Sequence, residues 1–110
     1  MSQRDLVALS CKISRSGFPN EAIFRVQVAN GETYVGAAPR QYFYKSDEKP
    51  LRDDEPAEGK KIDGKILARK IGKVDEDSLV SVPDGGVLQV KTGQVTRLPK
   101  EFSSDVFVES

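Results

Sequence analysis

Histidine and tryptophan are absent from this chain of 110 residues, and cysteine occurs only once, as Cys11. Histidine is the commonest general base in enzymes and the commonest ligand of transition metals. Its absence excludes Ser–His and Cys–His nucleophile pairs and leaves a zinc site without its usual ligands. No phosphate-binding or calcium-binding motif is present either. We therefore predict a protein that is not an enzyme and that holds no cofactor and no metal ion.

Long apolar runs and an excess of one charge are also missing. No segment approaches the roughly 20 apolar residues of a membrane-spanning helix, and residues 1–5 lack the apolar core of a signal peptide. The 17 basic and 17 acidic residues cancel, so the chain lacks the overall positive charge of general nucleic-acid binders. Because a lone cysteine forms no internal disulfide bond, we expect a cytoplasmic protein with no membrane partner.

The length and the distribution of charge predict one domain with one long loop. A chain of 110 residues can bury a single core but is too small for two. Residues 46–60 are mostly charged and contain few apolar side chains. We therefore expect a single β domain over residues 1–110, with a charged, flexible loop at about residues 46–60.

Alternation of apolar and polar residues predicts the first two strands. Over residues 6–14, the apolar side chains at every second position would share one strand face. Cys11 belongs to this set, so we interpret it as a buried packing residue and not as a reactive thiol. Phe24, Val26 and Val28 repeat the pattern after a segment rich in turn-forming residues.

An Asn-Gly pair at positions 30 and 31 predicts a β-hairpin, because both residue types tolerate the positive φ of a tight turn. A two-residue turn at this pair sets the register so that Val26 faces Val35 in the core. The same register places Tyr34 on the outer face, close to Arg25.

The aromatic segment at residues 40–45 predicts a short strand after Pro39. If Phe43 enters the core, Tyr42 and Tyr44 lie together on the opposite, exposed face. The reverse arrangement would bury two tyrosine hydroxyls, each of which would need a hydrogen-bond partner. We therefore favour the arrangement that exposes the tyrosines.

Residues 61–74 fit either a helix or a strand. Their apolar residues match a helical stripe but also an imperfect alternation. Two glycines weaken the helix, and an acidic turn at residues 75–77 leads naturally into a returning strand. We favour the strand. A Pro-Asp-Gly-Gly turn at residues 83–86 then opens a last long strand, which bends at Gly93.

Seven or eight short strands joined by tight turns predict an all-β fold, either a small antiparallel barrel or a sandwich. A barrel resembling the SH3 or OB type is our first choice, because a curled sheet leaves few exposed edges. Gly36, Gly72 and Gly93 are candidate positions for its bends. If residues 61–74 were helical, the fold would instead be α+β.

Two surface features are candidate binding sites. The first combines tyrosines and arginines, residue types that are enriched at binding hot spots. Its members are Arg25, Tyr34, Arg40, Tyr42 and Tyr44. The second is the basic run at residues 60–73, whose candidate binding residues are Lys65, Arg69, Lys70 and Lys73. On a strand, Lys70 would lie on the face opposite to the other three.

These features support three hypotheses of function. The leading one is a non-catalytic module that binds a protein or peptide through the tyrosine-bearing face. The second is binding of RNA or single-stranded DNA, which requires the basic run and the tyrosines to converge on one surface. The third is a structural subunit of a homo-oligomer, in which a strand edge such as residues 106–108 pairs with another chain.

Overall fold

A computed structural model of this protein describes residues 6–98. They form one antiparallel sheet and two single-turn 3-10 helices, Arg40–Tyr42 and Thr92–Gln94. The strands are β1 (Leu6–Arg15), β2 (Glu21–Gln27), β3 (Thr33–Pro39), β4 (Phe43–Lys45), β5 (Lys61–Val74), β6 (Asp77–Ser81), β7 (Val87–Lys91) and β8 (Val95–Thr96). The all-β prediction is confirmed. The strand edge predicted at residues 106–108 lies outside the described residues.

The sheet curls so that its two outermost strands approach each other. Its hydrogen-bonded order is β3-β2-β1-β5-β6-β7, with β4 added to β5 and β8 added to β1. The Ala29 amide, in the β2–β3 turn, donates to the Gln89 carbonyl of β7 at 2.8 Å. The Tyr34 hydroxyl of β3 donates to Asp84, in the turn before β7, at 2.7 Å. The sheet is therefore barrel-like, whereas the closer resemblance to the SH3 or OB type stays a prediction.

Residues 61–74 form one long strand, β5, so the α+β alternative is wrong. Pairing with β1 over residues 61–69 along one side, and with β4 and β6 along the other, gives its backbone hydrogen-bond partners and overrides the helical spacing of its apolar residues. The register shifts between Lys70 and Gly72, which makes Ile71 a bulge beside one of the predicted bends. The chain also bends at Gly93, where a 3-10 helix separates β7 from β8.

The core lies inside the curl of the sheet. Leu9, Phe24, Phe43 and Ile66 are each at most 1% exposed, and the ring centroids of Phe24 and Phe43 are 6.1 Å apart. Burying one such side chain stabilises the fold by about 1.5–3 kcal/mol. Cys11 is buried in the same cluster, as predicted, and this burial raises the pKa of its thiol to about 12.

The register of the β2–β3 hairpin differs from the prediction by one residue. Val26 pairs with Tyr34 and not with Val35. The Val28 amide donates to the Glu32 carbonyl at 2.8 Å, so the loop between them has three residues. In the Asn-Gly pair, only Gly31 has a positive φ. Such a loop carries a bulge at its glycine. The shift turns Tyr34 to the face that bears Val26 and leaves Val35 53% exposed.

Residues 46–60 lie outside the named strands and form the predicted loop. Several contacts attach this loop to the sheet. The Arg40 guanidinium donates to the carbonyls of Arg52 and Glu55, and the Lys45 ammonium lies 2.9 Å from the Glu55 carboxylate. The flexibility of the loop stays a prediction.

Candidate binding groove

A groove of about 500 Å³ lies between the β2–β3 hairpin and β7. It exists because the sheet curls without bringing its outermost strands into a continuous hydrogen-bonded ladder. Its lining combines apolar, aromatic and acidic side chains, a mixture suited to recognition of another polypeptide. The lining residues used below are Val28, Glu32, Tyr34, Asp77, Val87 and Gln89.

Tyr34 is held in a fixed position at this groove. Its hydroxyl donates to Asp84 Oδ2 at 2.7 Å, and its ring centroid lies 6.0 Å from that of Phe24. Gly86 lies against the ring so closely that a Cβ there would be 2.8 Å from Tyr34 Cζ. The hydrogen bond to Asp84 raises the pKa of Tyr34, because the carboxylate favours the protonated phenol. A ring fixed before binding loses little rotamer freedom when a partner packs on it.

β7 presents a backbone edge to the groove. Hydrogen-bonded and non-hydrogen-bonded pairs alternate in an antiparallel ladder. The Val82 amide donates to the Gly86 carbonyl at 2.9 Å, and the Gln89 carbonyl points away from β6 to accept from Ala29. Because Val82 and Gly86 are a hydrogen-bonded pair, Val87 and Gln89 belong to non-hydrogen-bonded pairs with β6. Their backbone N–H and C=O groups therefore point away from β6, toward the groove. The Val87 side chain is 60% exposed beside them.

The groove is acidic as well as apolar. Glu32 and Asp77 line it, and in the described part of the chain no lysine or arginine does. The Gln89 side-chain amide donates to the Asp77 carboxylate at 2.8 Å and so orients it. Lys91 is the cross-strand neighbour of Asp77, but it does not line the groove. The groove can therefore accept an apolar surface together with a positive charge.

Of the three predicted tyrosines, only Tyr34 lines this groove. Tyr42 lies in the first 3-10 helix and packs against the core, partly buried. Tyr44 is 2% exposed, and burial raises the pKa of its hydroxyl. The expectation of an exposed Tyr44 is therefore wrong. The reason is that β4 pairs with β5 on one side while Tyr44 bridges to Pro50 on the other, which brings the 46–60 loop beside it.

The two predicted arginines lie away from the groove. Arg40 donates to carbonyls of the 46–60 loop. Arg25 donates to Ser14 Oγ at 2.9 Å, and it lies on the strand face opposite to Tyr34, because Tyr34 pairs with the residue that follows Arg25. The structure does not join these arginines and Tyr34 into one surface, and their role in binding stays a prediction.

The basic run divides between the two faces of β5. Lys70 and Lys73 pair with residues two positions apart in β6, so they lie on the same face. The bulge beside Gly72 inserts one residue between them and reverses the alternation. The expectation that Lys73 shares a face with Lys65 and Arg69 is therefore wrong, whereas Lys70 lies opposite to Lys65 and Arg69 as expected.

A second depression, of about 490 Å³, carries positive charge on the outer face of the sheet. Lys12, Arg25 and Lys61 line it, and Lys12 and Arg25 are direct cross-strand neighbours on β1 and β2. Asp63 forms an ion pair with Lys12. Lys12 is not recognisable from sequence as part of such a site, because one lysine on the polar face of a strand carries no signal until the strand pairing places Arg25 beside it.

The other residues of the groove were missed for a related reason. Glu32, Asp77 and Val87 come from different turns and strands and meet only after the sheet curls. Each reads locally as an ordinary turn or strand-end residue. Tyr34 was the only groove residue among the candidates, and its residue type was the signal.

The structure and the comparisons define a class but no family. Within residues 6–98, no group of three metal-ligating side chains could hold an ion, and no helix there is long and apolar enough to cross a membrane. A scan against protein-family models and searches of curated proteins and solved structures found no match to this chain. The chain is a small all-β protein with a groove between the outermost strands of one curled antiparallel sheet.

Proposed function

We propose that this protein is a non-catalytic interaction module that binds a protein or peptide partner in the groove between the β2–β3 hairpin and β7. One observation carries the proposal: a fixed tyrosine and a 60% exposed valine, Tyr34 and Val87, lie beside the strand edge of β7, which is occupied by Ala29 only at the Gln89 carbonyl. Aromatic and apolar side chains in such a position supply most of the binding free energy at interfaces. The single cysteine, Cys11, supports a cytoplasmic setting for this activity.

Two exposed valines make a matched test of the groove. Val87 lines the groove and is 60% exposed, whereas Val35 is 53% exposed on the outer face of β3 and does not line it. Peptides would be selected from a displayed random library against the immobilised protein, and their dissociation constants would be measured by calorimetry. We expect Val87→Ser to weaken binding by about tenfold and Val35→Ser to leave it unchanged. Failure to select any peptide, or equal losses in the two variants, would reject the proposal.

The positively charged depression is a second candidate site, for RNA or single-stranded DNA. Lys12, Arg25 and Lys61 line it, and cations clustered in this way neutralise phosphates. However, Tyr34 lies on the opposite strand face from Arg25, and among the described residues no aromatic side chain lines the depression, so its lining offers no stacking platform of the kind that single-strand binding uses. The groove is therefore the better-supported site.

Salt dependence tests the nucleic-acid candidate directly. A labelled single-stranded RNA would be titrated with the protein, and anisotropy would be followed at about 50 and about 200 mM salt. Phosphate-directed binding should weaken steeply with salt and should be lost in Lys12→Ala/Lys61→Ala. The control Lys49→Ala/Lys91→Ala removes two exposed lysines that do not line the depression. No binding, or equal binding by both double variants, would remove this candidate.

A further inference from the structure

The groove and the edge of β7 together specify a kind of ligand. We propose that the groove binds an extended peptide that carries lysine or arginine, by adding it as a strand along β7. This inference rests on the proposed function and names the partner of the same site.

The backbone of β7 supplies the first argument. Strand addition uses the N–H and C=O groups of an exposed edge for affinity and alternate side chains for specificity. The Ala29 amide already bonds to the Gln89 carbonyl at 2.8 Å, so one backbone segment occupies this edge at one position. An added strand would continue from that position along Val87, whose backbone groups face the groove.

The side chains of the groove supply the second argument. In an added strand, alternate side chains point to opposite sides. One set could pack on the apolar surface of Val28, Tyr34 and Val87. A cation in the peptide would be attracted by Glu32 and Asp77, since no lysine or arginine among residues 6–98 lines the groove. Lys91, the cross-strand neighbour of Asp77, offsets part of the Asp77 charge, so Glu32 contributes the larger share. A glutamate at the same place would be repelled.

The depression on the outer face of the sheet provides a comparison within the same molecule. The depression lined by Lys12, Arg25 and Lys61 has the opposite charge. Peptides of opposite charge should therefore perturb different faces of the same molecule. The location of the perturbed residues separates binding at the groove from general electrostatic attraction.

Amide spectra of the full, isotope-labelled chain would test the inference. The probes are two pools of short peptides that are identical except that one carries lysine where the other carries glutamate. We expect the lysine pool to shift the amide signals of Val87 and Gln89 and the glutamate pool to leave them unchanged. Equal shifts from both pools would overturn the inference that the ligand is positively charged, but they would leave the proposed function unaffected. No shift of these amides by either pool would reject the proposed function at this groove as well.

A third pool of peptides tests strand addition, and two variants test the role of the acidic side chains. The lysine pool with a methylated backbone should lose the shifts, and retained shifts would overturn strand addition alone. For a peptide from the lysine pool, Glu32→Gln should weaken binding by about two- to fivefold. The matched control Glu58→Gln neutralises an exposed glutamate in the 46–60 loop and should not change the affinity. Equal affinities of the two variants and the parent would overturn the role of Glu32.

Discussion

The hydroxyl of Tyr34 and the carboxylate of Asp84 lie 2.7 Å apart, and their hydrogen bond joins β3 to the turn that precedes β7. These strands are at the two ends of the sheet order, so the bond links the open sides of the sheet. Asp84 Oδ1 also accepts the Gly86 amide at 3.0 Å. One carboxylate therefore stabilises the turn and positions the tyrosine of the groove.

The first prediction concerns this hydrogen bond. Tyr34→Phe keeps the ring and removes the hydroxyl, and we expect the free energy of unfolding to fall by about 0.5–1.5 kcal/mol. The bond is exposed to solvent, which places the loss near the lower end. Urea unfolding of Tyr34→Phe, Asp84→Ala and the double variant would measure the coupling. Losses that simply add would show that the two side chains do not interact energetically.

The second prediction concerns the close approach of Gly86 to Tyr34. A Cβ at Gly86 would lie 2.8 Å from Tyr34 Cζ, so Gly86→Ala must displace the ring or the turn. We expect a cost of about 1–3 kcal/mol. Gly93→Ala is the control, because a Cβ there meets nothing within 4 Å. Equal unfolding midpoints for the two alanine variants would contradict this interpretation.

A combined variant sharpens the same test. The hydroxyl oxygen of Tyr34 is the atom nearest to a Cβ at Gly86, so removing it should make room. In a Tyr34→Phe background, Gly86→Ala should therefore cost less than it does in the parent. An undiminished cost would assign the effect to the ring carbon Cζ or to the backbone of the turn, and not to the hydroxyl.

The hairpin shows how far local patterns predicted this fold. The Asn-Gly pair located the turn, but its register depends on whether one or both residues take a positive φ. Only Gly31 does, while Asn30 Oδ1 accepts the Glu32 amide at 2.9 Å. This hydrogen bond from the Glu32 amide to the Asn30 side chain favours a loop of three residues over a loop of two. That choice moved Tyr34 from the outer face to the groove.

The strands themselves were predictable because their alternation is local, as the buried Cys11 shows. The groove was not, because its residues meet through the curl of the sheet. The bulge at Ile71 shows the same limit: it reverses the faces of all later residues in β5. Gly72 indicated a bend at this place, but no residue type in the basic run indicates the inserted residue. Tyr44 was wrongly predicted to be exposed, because the alternation of strand faces does not indicate that Pro50 of the loop pairs with it.

The third prediction concerns Arg40, which was a candidate binding residue. Its guanidinium donates to the carbonyls of Arg52 and Glu55, and a lysine cannot reproduce this fork of donors. Arg40→Lys should lower stability by about 1–2 kcal/mol and should speed trypsin cleavage within the 46–60 loop. Lys49→Arg, at an exposed position in that loop, is the control. Unchanged cleavage in Arg40→Lys would show that Arg40 does not fix the loop.

The fourth prediction concerns Cys11 and alkaline pH. Burial raises the pKa of its thiol from an ordinary value of 9.0 to about 12. Between these values the folded state keeps a proton that the unfolded state has lost. The unfolded state then binds fewer protons, so the free energy of unfolding decreases as pH rises from about 9 toward 12, by at most about 1.4 kcal/mol per pH unit.

Removing the thiol isolates this contribution. At neutral pH, Cys11→Ala should be the less stable protein by about 1–2 kcal/mol, because it leaves a cavity in the core. The pKa of Tyr34 is also raised, but Tyr34 titrates in both proteins and cancels in the difference. Because Cys11 contributes to the raised pKa of Tyr44, both proteins carry Tyr44→Phe in this comparison. The stability gap should therefore narrow as pH rises above about 9. Urea unfolding of both proteins over this pH range would measure the difference in their free energies of unfolding. A difference that does not change with pH would show that burial does not raise the pKa of Cys11.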